Sequence, residues 1–124
     1  MSKFVKVKTE LRDLALIKRS LADLNLSYGE NERYAHLWSG FNDKVPLVVK
    51  QPRATFGFQL TSDGVYEAVG DDMQIANIRA TVQQIQQRYA YHKVLVEVEQ
   101  AGFALVEETT GKDHVIRMTV RRWS

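Results

Sequence analysis

The stretch DDMQIANIRATVQQIQQRYAYHKVLVEVEQAG, residues 71–102, decides the fold. Asp71 and Asp72 stand where a helix cap belongs, and Gly102 stands where a left-handed residue ends a helix. Between them Ile75, Ile78, Val82, Ile85, Tyr89, His92 and Val96 recur at spacings of three and four, which lays them along one face of a long helix. The β-branched run from Val94 to Val98 has local strand character, but it continues the same stripe. The helix also changes along its length. Opposite the stripe its first half shows Asn77, Gln84 and Gln87, whereas its second half shows Tyr91, Val94 and Val98.

Toward the N-terminus, residues 3–9 read as a strand, with Val5, Val7 and Thr9 on one side and Phe4, Lys6 and Lys8 on the other. Asp13 caps a first helix whose apolar positions are Leu14, Ile17, Leu21 and Leu24. A polar turn over 29–33 leads into short strands at 34–39, 45–50, 55–61 and 65–69. Residues 40–44 and 62–64 read as hairpin connections, and Pro46 and Pro52 fall at strand margins. Phe56, Phe58 and Leu60 share one face. Beyond Gly102 a last hairpin pairs 103–108 with 115–123, with Ile116, Met118 and Val120 inward. The order β-α-β-β-β-β-α-β-β predicts an α+β fold in a single domain over 1–124, mainly an antiparallel sheet packed on one face by two helices. The expected core is Val5, Val7, Leu14, Ile17, Leu21, Phe56, Phe58, Leu60, Ile78, Val82, Ile85, Tyr89, Ile116, Met118 and Val120.

Composition narrows the chemistry. With 124 residues and 44% hydrophobic content the chain is long enough to bury a core without staples. It has no cysteine, which excludes disulfides, thiolate metal sites and cysteine nucleophiles. No apolar run is long enough for a signal peptide or a membrane span, so no membrane partner is expected. Residues 1–62 carry ten basic and six acidic side chains and residues 63–124 seven and nine, so the net +2 divides as +4 and −2. That asymmetry is milder than the basic stripe of a protein that grips phosphates.

Several runs resemble the conserved chloroplast open-reading-frame family of cyanobacteria and algal plastids, classed as a domain of unknown function. They are the start from Met1-Ser2-Lys3-Phe4 through Lys8-Thr9, the helix from Asp13, Trp38-Ser39-Gly40, Phe56-Gly57-Phe58, Tyr66-Glu67, Arg88-Tyr89-Ala90-Tyr91-His92-Lys93-Val94, Gly102-Phe103 and Arg122-Trp123. The resemblance covers the whole chain and implies a cyanobacterial, phage or plastid setting, in the cytoplasm or the plastid stroma. It implies no catalytic residue. Lys3 stands where the family pattern has histidine and Asp72 where it has tryptophan, so a metal or stacking site that needed either does not carry over.

The three histidines, His36, His92 and His114, fall in different elements without metal-ligand spacing, so neither metal nor cofactor is expected. His92 lies on the helix stripe one turn from Arg88. It reads as a core-edge histidine or, alternatively, as the centre of a small-ligand enzyme or sensor. Asp63, Glu67, Asp71 and Asp72 are explained by turn and cap chemistry more simply than by magnesium. Lys6 and Lys8, with Arg117, Arg121 and Trp123, would form a nucleic-acid-binding face if the first and last strands were neighbours; the alternative is protection of sheet edges. The favoured reading is a non-enzymatic accessory or adaptor protein. It would bind another protein, or a second copy of itself, through Tyr91, Val94 and Val98, because an apolar strip on the outer side of a helix marks a contact or a covering element.

Overall fold

The computed structural model describes residues 2–112 and 115–122. Among these, β1 (Phe4–Val7) leads into α1 (Leu14–Asp23), followed by β2 (Tyr28–His36), β3 (Phe41–Val49), β4 (Phe56–Leu60) and β5 (Tyr66–Asp71). A 3-10 turn (Asp72–Gln74) opens α2 (Ile75–Gln100), and β6 (Phe103–Thr110) and β7 (Ile116–Arg122) follow. The first five strands form an antiparallel sheet in the order β1-β5-β4-β3-β2, while β6 and β7 pair only with each other. The α+β class and the element order therefore stand as read from the sequence.

α1 and the 3-10 turn ahead of α2 begin where side-chain oxygens meet orphan amides, whereas α2 itself opens at Gln74 without a side-chain cap. The Asp13 carboxylate accepts from the N–H groups of Ala15 and Leu16, and Asp71 accepts from the N–H of Met73. Asn25 at φ 55° follows α1 and Gly102 at φ 84° follows α2, the left-handed positions at which helices stop. The helices cover one face of the sheet. Leu16, Ile17 and Leu21 from α1 and Ile78, Val82, Ile85 and Tyr89 from α2 pack on Leu47, Val49, Phe56, Phe58, Tyr66 and Ala68. The Tyr89 hydroxyl fixes the two helices by accepting from the N–H groups of Arg12 and Asp13 at 3.1 and 3.0 Å.

The opposite face has a core of its own, which the sequence did not announce. Pro46 has no N–H to donate, and opposite it in the register Asn31 turns left-handed at φ 50°, so the β2–β3 hairpin bends there. Beyond the bend β3 no longer pairs with β4, and the hairpin curls over the outer face toward the far edge of the sheet. Phe41 of β3 stacks on Phe4 of β1 at 4.5 Å between centroids, and His36 of β2 reaches Asp71 of β5 at 2.9 Å. Tyr34, Val45, Val48 and Val69 fill the space between. Gly57 makes this possible, since a Cβ there would lie 3.1 Å from a methyl of Val45 and 3.3 Å from one of Val69.

The bend corrects several sequence expectations. Residues 29–33 form strand rather than a turn, because an edge strand tolerates the polar run Glu30-Asn31-Glu32-Arg33 and ties it down with Lys18–Glu30 and Lys50–Glu32 ion pairs. The tight turn sits at residues 37–40, with Gly40 at φ 78°, and Phe41 already belongs to β3. Leu60 is 56% exposed rather than buried beside Phe58, because β3 leaves the sheet before reaching it. Val120 is 39% exposed because the last hairpin stands outside the main sheet and packs against α2. Val5, Val7, Leu14, Ile116 and Met118 are half-buried, and the other expected core residues are buried.

Candidate protein-binding face

Two adjoining features lie along α2 between Ala80 and Val94. The first is a polar cluster that ties α1, α2 and β6 together. Asp23, at the last turn of α1, accepts from Arg88 at 3.0 Å and from His92 at 2.5 Å. The Tyr91 ring stacks on His92 and lies under the Arg88 guanidinium, 4.4 Å from its centroid, while its hydroxyl donates to Glu108 of β6 at 2.7 Å. The hydrogen bond to Glu108, followed by burial, pushes the Tyr91 phenol up. His92 is thus a core-edge residue with its ring held on both sides.

The second feature is a groove of about 850 Å³ between the outer face of α2 and the β6–β7 hairpin. Ala80, Gln83, Gln87, Ala90 and Val94 form its floor, and Val115, Ile116 and Met118 form one wall. None of these is charged. Tyr91, bonded to Glu108 of the hairpin, and Val98 are half-buried, whereas Val94 is 38% exposed and Val115 47% exposed. Of the three apolar positions singled out in the sequence, Val94 and Tyr91 line the groove, and Val98, half-buried one turn beyond Val94, does not.

The basic residues do not come together. Lys6 lies on β1 and pairs with Glu67 at 3.7 Å, and Lys8 follows the end of that strand. Arg117 and Arg121 lie on β7, in the other sheet, so the first and last strands are not neighbours. Trp123 and His114 lie outside the described residues. The acidic side chains are likewise dispersed among caps and pairs: Glu67 accepts from Gln59, Asp71 caps the 3-10 turn, and Asp72 accepts from the N–H of Lys3 at 2.9 Å. The described residues contain no group of three or more His, Asp or Glu side chains placed to share a metal ion.

A third constellation escaped the sequence reading. Buried His36 accepts at Nδ1 from the Ser39 N–H at 3.2 Å, which leaves the Nε2 hydrogen for Asp71. Ser39 Oγ lies 2.8 Å from the same Nδ1. Although Ser, His and Asp are linked, the serine belongs to the tight turn and its oxygen already accepts from the N–H of Phe41. The arrangement pins the hairpin tip, leaving Leu37 and Trp38 exposed. In the sequence Trp38-Ser39-Gly40 and the capping Asp71 stand as separate features, and only the curl of the hairpin joins them.

Both carboxylates at these junctions are depressed. For Asp23 burial favours the neutral acid, but the hydrogen bonds from His92 and Arg88 outweigh it. For Asp71 the Met73 N–H is the main cause; burial opposes it, and the His36 hydrogen bond adds to the depression. A carboxyl with a lower pKa folded than unfolded stabilises the fold above its unfolded value, here 3.8, and loses that contribution as pH falls through the folded value. Melting temperature should therefore decline as pH falls below the unfolded value of 3.8. The decline should be shallower in Asp23→Asn, and an identical acid profile in that variant would contradict the assignment.

The family described as "Protein of unknown function (DUF1257)" matches residues 20–119. The chain is 28% identical over its whole length to "Uncharacterized protein ycf35" of Pyropia yezoensis, covering 99% of that protein. It is 30% identical to the protein of the same name from Guillardia theta and 28% to that of Cyanophora paradoxa, over 99% of this chain and 98% of each relative. No solved structure matches. Among the described residues no helix is long and apolar enough to cross a membrane.

Proposed function

We propose, from the premise that this chain belongs to the DUF1257 family of proteins of unknown function, that it is a small accessory or adaptor protein that acts by binding another protein and catalyses no reaction. Its setting is the plastid stroma or the cyanobacterial cytoplasm. The observation that carries this reading is the uncharged groove along α2, whose apolar wall is supplied by a two-stranded hairpin outside the main sheet. Two strands alone are marginal in water, so a hairpin that leaves Val115 and Val120 open gains stability when something packs beneath it. Apolar area removed from water there contributes roughly 25 cal/mol per Å², offset in part by association and ordering costs.

Val94→Gln tests the reading. The side chain lies on the open floor of the groove, 38% exposed, rather than in the core, so stability should change by no more than about 0.5 kcal/mol. Binding measured by affinity capture or self-association should weaken. A large fall in melting temperature with binding intact would make Val94 ordinary core, and the reading would be abandoned.

A further inference from the structure

We infer that the occupant of this groove is a second copy of the chain, its α2 lying antiparallel to the first about a two-fold axis near residue 88. The inference rests on the reading of the groove as a binding surface and names what fills it. On the side of α2 away from the core, Ala76, Ala80, Gln83, Gln87, Ala90 and Val94 follow one another at spacings of four and three. On a helix of 3.6 residues per turn these six positions stay within about 40° of one direction, and they run about 27 Å at 1.5 Å per residue. Small and neutral side chains let two such rows approach without burying a charge.

Charge selects the partner and its direction. Arg79 and Glu97 are both exposed, and neither forms an ion pair with another described residue. They are eighteen residues apart, five turns of helix, so both flank the neutral row on the same side. In an antiparallel pair, same-side flanks meet. Pairing centred on residue 88, midway between them, therefore sets Arg79 beside the partner's Glu97, and two-fold symmetry makes the contact twice. In a parallel pair opposite flanks meet instead, so Arg79 and Glu97 would lie on the far side of the seam from their copies and would form no such contact. The antiparallel register also carries the N-terminal half of the partner helix along the C-terminal half of α2, where Val115, Ile116 and Met118 form the groove wall. Such an interface is self-complementary and closes at two copies.

Sedimentation equilibrium of the full chain over a concentration series tests this directly. A dimer is expected. Arg79→Glu or Glu97→Arg alone should weaken it about tenfold, because each turns both symmetric attractions into repulsions, and the two changes together should restore it. Since the chain has no cysteine, single thiols report the register. Gln87→Cys places its two copies about 3 Å apart along the axis and should oxidise to a cross-linked dimer, whereas Ala76→Cys separates them by about 36 Å and should not. A chain that stays monomeric, a double reversal that fails to restore a dimer weakened by each single change, or cross-linking at Ala76→Cys would overturn the inference. If the chain is monomeric yet capture of another protein still depends on Val94, only the identity of the occupant is wrong. If neither self-association nor capture responds to Val94→Gln, the groove itself is not the binding surface.

Discussion

Phe56→Ala is expected to lower the free energy of unfolding by about 3 to 5 kcal/mol. The side chain is fully buried at the junction between the sheet and the helical layer, and its ring meets Phe58 edge-on at 5.4 Å. Neighbouring Val49 on β3 and Ile78 on α2 are equally buried, so little can collapse into the space that the ring leaves. The Phe56 Cβ also lies near Gly70, where the backbone runs so close to Ile78 that a Cβ would sit 2.6 Å from its terminal methyl. Packing this tight converts a deletion into a cavity rather than a local rearrangement. Urea unfolding read by tryptophan fluorescence and far-ultraviolet circular dichroism measures the loss. A change below about 1 kcal/mol would mean that the two-helix layer does not press on β4 as described.

His36→Ala is the second large effect, with an expected cost of about 1 to 3 kcal/mol from the loss of a buried, fully bonded ring. The ring joins the tight turn, through Ser39, to the paired strands β5 and β1, through Asp71 and the Phe4 ring at 5.7 Å. Its removal also strips Asp71 of one hydrogen-bond partner, although the Met73 N–H remains. The loss should appear locally as faster amide exchange at the distal half of the β2–β3 hairpin, with the α1–α2 face unaffected. Trp38→Ala at the exposed tip is the comparison, expected within about 0.5 kcal/mol of the parent. Equal effects from the two substitutions would show that the hairpin is not pinned through His36.

These experiments probe opposite faces of one sheet, and the proposed binding groove lies outside both. α2 presents Ile78, Val82, Ile85 and Tyr89 to the core and the neutral row to solvent, so variants at Val94, Arg79 and Glu97 can alter association without emptying the core. The Asp23–Arg88–His92 cluster connects the two, because it holds the end of α1 against the same turns of α2 that carry Tyr91 and Val94.

The sequence by itself determined the elements whose cause is local. The three-four spacing from Ile75 to Val96, with Asp71 and Gly102 at its ends, specified α2 through its β-branched last turns, and the same reasoning specified α1 from Asp13. The residue runs shared with the plastid open-reading-frame family identified the family. The change in character of α2 at Tyr91 and Val94 was legible too, and both residues line the groove, which extends along α2 from Ala80 to Val94. Tertiary structure alone decided how distant pieces met. Nothing local in Glu30-Asn31-Glu32 marks a strand; it is one because β3 supplies the ladder, and Pro46 breaks that ladder where Asn31 can turn left-handed. That bend exposes Leu60, buries His36 against Asp71 and builds a second core around Phe4 and Phe41. Likewise Lys6 and Arg117 could have shared a face only if β1 and β7 were neighbours, and strand order is set by long-range pairing, on which side-chain period carries no information.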